Sequence, residues 1–229
     1  MSIIKYNIFR EIFLKEFIKM GTLRARSVEE QNERYQKILA TAADFFTTID
    51  YEDISLSKIA KKIGLSRPAL YSYFDSKEML FLTLSKQQYL LVRDKLIKDF
   101  STEKMSKKDF CFNLAKLFFD TPTFLKYQAL HQTVMESKIG YDEMYKFKKG
   151  TKPFFKTLQD IVHFQFPTLT ESAVAIFVQQ VTVLLPTMYN YDHSPSEQAK
   201  VMNELQIFGK NPPAEPIEFY SEFFIKLLS

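Results

Sequence analysis

The sequence predicts an all-α protein, in which a small N-terminal three-helix unit containing a helix-turn-helix precedes a larger helical domain. Three observations carry that expectation. Glycine is scarce, five in 229 residues, whereas a sandwich or barrel would need frequent turn signals. Helix-start signals recur along the chain, each a Ser, Thr or Asp followed by a proline or by an acidic residue three positions on. Apolar residues return at helical spacing, and no strand is proposed.

The elements follow in order. Residues 1–27 read as an N-terminal extension with a helix near 3–19, whose apolar side carries Ile4, Ile8, Phe9, Ile12, Phe13, Phe17 and Met20. Met20 is an alternative start. Lys5, Arg10, Glu11, Lys15, Glu16 and Lys19 interrupt any continuous signal-peptide core there. Helices are expected over 28–48, 56–62 and 67–73, the last capped by Ser66 with Pro68 in its first turn, where a missing N–H is harmless. Asp75 and Glu78 have capping-box spacing for a long helix over 76–99. Ser106 with Asp109 opens 107–119, and Thr121-Pro122 opens 122–138. A helix over 142–165 follows, then 169–189 from Thr168 with Glu171, and 195–207 from Ser194-Pro195. A proline-bearing linker over 209–216 leads to the last helix, 215–228. Helices are short and basic before about residue 80, then long and rich in Phe, Leu, Met and Tyr. This shift divides the chain into 1–27, 28–75 and 76–229.

Composition narrows the function classes. The single cysteine, Cys111, lies among Phe110, Phe112 and Leu114 and reads as a small buried apolar residue, which fits a reducing, cytoplasmic setting. Residues 172–191 carry no charge and approach the length of a membrane span, but Gln179, Gln180, Thr182, Pro186 and Asn190 favour a helix paired with protein over one paired with lipid. The three histidines, His131, His163 and His193, come without a metal-ligand motif, and there is no glycine-rich phosphate loop. No catalytic residue, metal or cofactor is proposed.

Charge is more telling by position than by amount. Between residues 55 and 77 stand Lys58, Lys61, Lys62, Arg67 and Lys77 against Asp75 alone, an excess equal to the whole chain's net +4. A confined excess suits a polyanion, and a solvated helix face is the plain alternative. In the same stretch Ile59, Ala60 and Ile63 give a first helix its apolar side, Gly64 supplies a turn, and Leu70 and Phe74 face inward from a second helix. That second helix then points Pro68, Ala69 and Ser72 outward, flanked by Arg67, Tyr71 and Tyr73. Small residues at such a tip let it approach a major groove while Arg67 reaches a base edge. Tyr71, Tyr73 and Lys77 suit phosphate contact, and Ser55, Ser57 and Ser66 offer hydroxyls near helix starts.

These residues resemble a known family. Ala42-Ala43-Asp44-Phe45-Phe46, Tyr51, Ser55, Ile59-Ala60, Gly64-Leu65-Ser66, Leu70-Tyr71-Ser72-Tyr73-Phe74 and Ser76-Lys77-Glu78-Met79-Leu80 are similar to the DNA-binding region of tetracycline-repressor-type (TetR) transcriptional regulators. The resemblance covers about a fifth of the chain. It implies that helix 28–48 supports the helix-turn-helix, and that the later helices bind a small ligand and dimerise. Ligand binding would shift the helix beginning near Asp75 and release DNA. Two departures stand out. Asp50 occupies a place where the family often has glycine, which raises the question of a left-handed turn, and Pro68-Ala69 replaces a common Gly-Thr pair.

One short helix reads too few bases to select a site, so a homodimer on an inverted-repeat duplex is expected. Residues 169–189 are apolar on more than one side, which points to a second subunit as neighbour. The expected interface is Val174, Phe177, Val181, Leu184, Leu185 and Met188, joined by Tyr220, Phe224 and Leu227 of the last helix. An apolar effector pocket is expected around Tyr127, His131, Gln132, Met135, Phe155 and Gln179. The leading reading is a ligand-released repressor in the cytoplasm, with double-stranded DNA and a small effector as partners and no membrane. A DNA-binding architectural protein without a small ligand and a helical enzyme are the alternatives.

Overall fold

A computed structural model describes residues 28–193, 196–207 and 215–228. The extension over 1–27, the Ser194-Pro195 start and most of the linker over 209–216 lie outside the described residues. The helices are α1 (Val28–Thr48), α2 (Leu56–Ile63), α3 (Arg67–Tyr71), α4 (Lys77–Phe100), α5 (Lys107–Phe119), α6 (Pro122–Leu130), α7 (Tyr141–Gln165), α8 (Glu171–Asp192), α9 (Ser196–Glu204) and α10 (Pro216–Leu227). No strand occurs among the described residues.

Local chemistry fixes the head. Ser55 caps α2 and Ser66 caps α3, their hydroxyls accepting from the Lys58 and Ala69 amides at 3.2 and 3.3 Å. Gly64 ends α2 with φ of 74°, a left-handed conformation that glycine adopts without a side-chain clash. Ile38, Leu39, Ala42 and Phe46 of α1, Ile59 and Ala60 of α2, Leu70 of α3 and Phe74 are all buried, with α1 packing on α2 and α2 on α3. Tyr35 stacks on Phe74 at 5.5 Å. Asp50 is extended, with φ of −67° and ψ of 142°, so the residue that stands in place of a glycine meets no left-handed requirement.

In the larger domain α4 packs along α7, α5 along α10, and α6 along α8. Phe81, Leu84, Tyr89, Val92 and Leu96 form the inner stripe of α4. Cys111 is fully buried, as a small apolar residue would be, and burial pushes its thiol up to about 12. Helix α8 is long and apolar enough to cross a membrane, yet one side of it packs on α6, α7 and α10.

Several starts and ends differ from expectation. Ser76, rather than Asp75, caps α4, accepting from the Met79 amide at 3.1 Å. Thr170, rather than Thr168, caps α8 through the Ala173 amide. A serine or threonine hydroxyl one or two positions further on took the capping place in both. Thr121 precedes Pro122 without capping, because its hydroxyl turns back to the Leu117 and Phe118 carbonyls. Helix α3 ends at Tyr71, two residues early. The expected helix over 122–138 is three pieces: α6, a π-helical turn over His131–Met135, and a 3-10 turn over Glu136–Lys138.

Candidate nucleic-acid interface and effector core

The head presents one prominent corner. Ser66, Arg67 and Pro68 are exposed at the start of α3, Ala69 is half-buried behind them, and Leu70 is anchored in the core. Arg67 folds along its own helix, its guanidinium 5.3 Å from the Tyr71 ring centre and Nη2 3.4 Å from the Tyr71 hydroxyl. Tyr71 is 38% exposed, so this pair lies over the surface rather than in the core. Ser57 is exposed at the start of α2, and Tyr73 is half-buried. Ser72 is exposed but donates its hydroxyl proton to the Ala69 carbonyl at 2.8 Å, which leaves it an acceptor toward solvent.

The lysines divide into two kinds. Lys61 and Lys62 are exposed on α2. Lys58 instead donates to the Asp53 carbonyl at 2.6 Å. Lys77, expected at phosphate, donates to the Tyr51 carbonyl at 2.8 Å and sits 4.0 Å above the Tyr51 ring. Burial holds its ammonium below the usual lysine range. Its first task is therefore to fasten the short 3-10 turn Tyr51–Asp53 to the start of α4, a pairing 26 residues apart that no local spacing reveals.

A second lysine of this kind joins the head to the larger domain. Lys126 of α6 donates to the Phe46 carbonyl near the end of α1 and lies 4.7 Å from the Phe46 ring. Beside it Tyr127 stacks on Phe46, with centroids 4.1 Å apart and an interplanar angle of 14°. Phe81 of α4 completes the cluster against Phe46 and Tyr51. Tyr127 thus lies at the junction with the head.

The other expected pocket residues separate. His131 and Met135 are buried in the π turn, and Phe155 is half-buried against Tyr89 at 5.8 Å. Gln179 is exposed on the outer side of α8, and the Gln132 side chain is outside the description. The residues that gather around His131 carry no local signal in the chain. Tyr89 donates to Gln128 Oε1 at 2.9 Å and lies 3.2 Å from His131 Nε2. His131 Nδ1 is 2.9 Å from Glu136 Oε1, which also accepts from Lys148 at 2.6 Å. His131 and Lys148 hold the Glu136 carboxyl below its usual range, outweighing the burial that pushes it up. Phe124, Phe147 and Phe154 wall this chain of polar groups. A surface groove of about 490 Å³ between α4 and the start of α6 does not reach it.

The expected interface residues face inward. Val174, Phe177, Val181, Leu185, Met188, Tyr220 and Phe224 are buried within one chain, and Leu184 and Leu227 are half-buried. What α8 shows outward is Ile176, 51% exposed, and Val183, 64% exposed, with Gln179 and Gln180 between them; α10 adds Phe223. The apolar pattern named the right helices as greasy all round without saying which side the chain itself would cover.

The comparisons with known proteins divide along the same line as the fold. The family described as "Bacterial regulatory proteins, tetR family" matches residues 38–84, and "Tetracyclin repressor-like, C-terminal domain" matches residues 88–213, more than half the chain. The HTH-type transcriptional regulator EthR of Mycobacterium tuberculosis is 45% identical over 53 residues, 23% of this chain and 24% of that protein. The Bacillus subtilis regulator YdgC is 31% identical over 91 residues, 38% of this chain and 45% of that protein. The chain therefore matches less than half the length of these curated relatives. Among solved structures, a TetR/AcrR-family regulator from Thermobifida fusca covers 86% of this chain and 96% of its own at a TM-score of 0.55 and 16% identity. The regulator FadR from Bacillus subtilis, solved with stearoyl-CoA, covers 85% and 97% at 0.54 and 19%. At that identity the likeness is one of fold.

Proposed function

The chain belongs to the tetR family of bacterial regulatory proteins, and from that premise we propose that it is a homodimeric repressor that binds an inverted-repeat operator and is released by a small apolar or amphipathic effector. Membership supports reading it as a DNA-binding transcriptional regulator. The observation that carries the finer reading is the corner at the start of α3, where a capped helix presents Arg67 and Pro68 to solvent.

In this reading Arg67 swings off Tyr71 to a base edge, Pro68 and Ala69 lie against the groove floor, Ser55, Ser57, Ser66, Tyr71 and Tyr73 meet phosphates, and Ser72, to donate as well, turns its hydroxyl away from the Ala69 carbonyl. Lys61 and Lys62 add salt-dependent attraction. The outward stripe of Ile176 and Val183, with Phe223, pairs two copies about a two-fold axis. His131 and Phe155 mark the effector region.

Selection of bound duplexes from a random pool tests this reading. Recovery of an inverted repeat with half-site centres about one helical turn, ~34 Å, apart is expected. Recovery of unrelated sequences, with binding that is the same for all of them at physiological salt, would overturn it.

A further inference from the structure

The inside of the larger domain holds a polar group with nothing to bond. Gln128 is 1% exposed. Its Oε1 is engaged by Tyr89 and His131, while its Nε2 has no hydrogen-bond partner. Turning the amide over does not relieve this. The nitrogen would then face the His131 acceptor and the Tyr89 oxygen, and the carbonyl oxygen would be the atom left over. In either orientation one hydrogen-bonding position of Gln128 is buried and vacant of protein. Ser85, fully buried one turn before Tyr89 on the same side of α4, has an unpartnered hydroxyl as well. Such groups are rare in folded proteins because each forfeits its hydration without return.

Two further features meet at the same place. The turn His131–Met135 is π-helical, an extra-residue geometry that recurs at functional sites and can pass back to α-helix by a shift of one residue. The walls are aromatic, Phe124, Phe147, Phe154 and Phe155 all packing on Tyr89. Charge then narrows the chemistry. The buried polar residues among those described are Ser85, Gln128, His131, Thr151, Gln165 and Ser221, with no carboxylate, lysine or arginine among them. Glu136, at the edge, is already shared between His131 and Lys148. His131, the titratable side chain of this set, is already bonded to Glu136 through Nδ1 and faces Gln128 and Tyr89 through Nε2, so an ionised ligand head would be desolvated here without a counter-charge of its own.

We propose that Gln128, set between Tyr89 and His131, is the anchor for one uncharged hydrogen-bonding group of an otherwise apolar effector, whose body replaces part of the aromatic packing next to the π turn. This rests on the ligand-responsive reading above and names the class of ligand. A primary amide fits either orientation of Gln128, because it offers both a donor and an acceptor. A carboxylate of the same chain length does not.

The test uses the full chain, decanamide and decanoate as probes, and the variant Gln128→Leu. Decanamide is expected to raise the Tm and to weaken binding to the selected operator, and decanoate to act at least about tenfold more weakly, as one good hydrogen bond allows. Gln128→Leu is expected to lose the decanamide response by at least about tenfold, and to melt somewhat lower than the parent, because Tyr89 and His131 lose the Oε1 they share and keep only each other, 3.2 Å apart. Equal or stronger action of decanoate overturns the proposal. So does an undiminished decanamide response in Gln128→Leu. Action of neither probe also overturns it, and leaves the regulator reading standing if an inverted repeat has been selected. Failure to select one strikes that reading instead.

Discussion

Arg67 and Lys77 illustrate how differently two cations ten residues apart are used. Arg67 rests on Tyr71 at the surface, in a contact worth about 0.5–1 kcal/mol at an exposed site, so little opposes its transfer to a guanine edge. Lys77 is held by a backbone carbonyl and an aromatic face. Arg67→Ala should therefore leave the Tm within about a degree or two while reducing discrimination at one base pair per half-site by ~1–3 kcal/mol. Lys77→Met should do the reverse, lowering stability by about 1–3 kcal/mol through the lost charged hydrogen bond, with base preference unchanged. Competition binding against single-base operator variants, alongside thermal melts, separates the two. If Lys77→Met keeps its full Tm and only flattens the salt dependence, the lysine belongs to the phosphate set after all.

At the scale of elements, the sequence was most legible where a rule is local. Ser66-Arg67-Pro68 announces a capped helix, Gly64 a turn, and Ser106 with Asp109 a start, because each involves atoms within a turn of one another. The π turn was not legible, since nothing in His-Gln-Thr-Val-Met demands it; within it His131 meets Tyr89, 42 residues away, and Glu136, five residues on. The facing of α8 was half legible. Periodicity identified a helix apolar on two sides, but the choice between core and interface depends on α6, α7 and α10, which cover the side carrying Val174, Phe177 and Val181. The uncovered side gives the element-scale prediction. Val183→Glu, on a residue 64% exposed, should cost the single chain little, yet it places a carboxylate in the centre of the proposed two-fold contact. Sedimentation should show the dimer dissociating, and operator affinity should fall by a factor of about a hundred or more, since two half-sites are no longer joined. The same change at Val181, which is buried, should unfold the chain instead. A Val183→Glu protein that sediments as a dimer would move the interface elsewhere.

For the molecule as a whole, the head and the larger domain are not two beads on a string. Phe46 of α1, Tyr51 of the 3-10 turn, Phe81 of α4 and Tyr127 of α6 form one aromatic cluster across the boundary near residue 75. Lys77 and Lys126 each bind a head carbonyl from the far side of that boundary. Helix α6 is the short path between sites: Lys126 and Tyr127 hold the end of α1, and Gln128, the next residue, reaches into the core toward Tyr89. A displacement of α6 at Gln128 must therefore be felt at Phe46, which is how occupation of the core can bias the heads, provided that the effector binds the two arrangements unequally. Tyr127→Ala tests the connection against Leu158→Ala, an equally buried truncation in α7 away from the head. Each should lower stability by about 2–5 kcal/mol. At a temperature where both remain folded, Tyr127→Ala should weaken operator binding several-fold, while Leu158→Ala should leave it within about twofold, because only the first removes packing that sets the angle of the head. Equal losses of affinity from the two would mean that DNA binding follows overall stability alone, and that the aromatic bridge transmits nothing of its own.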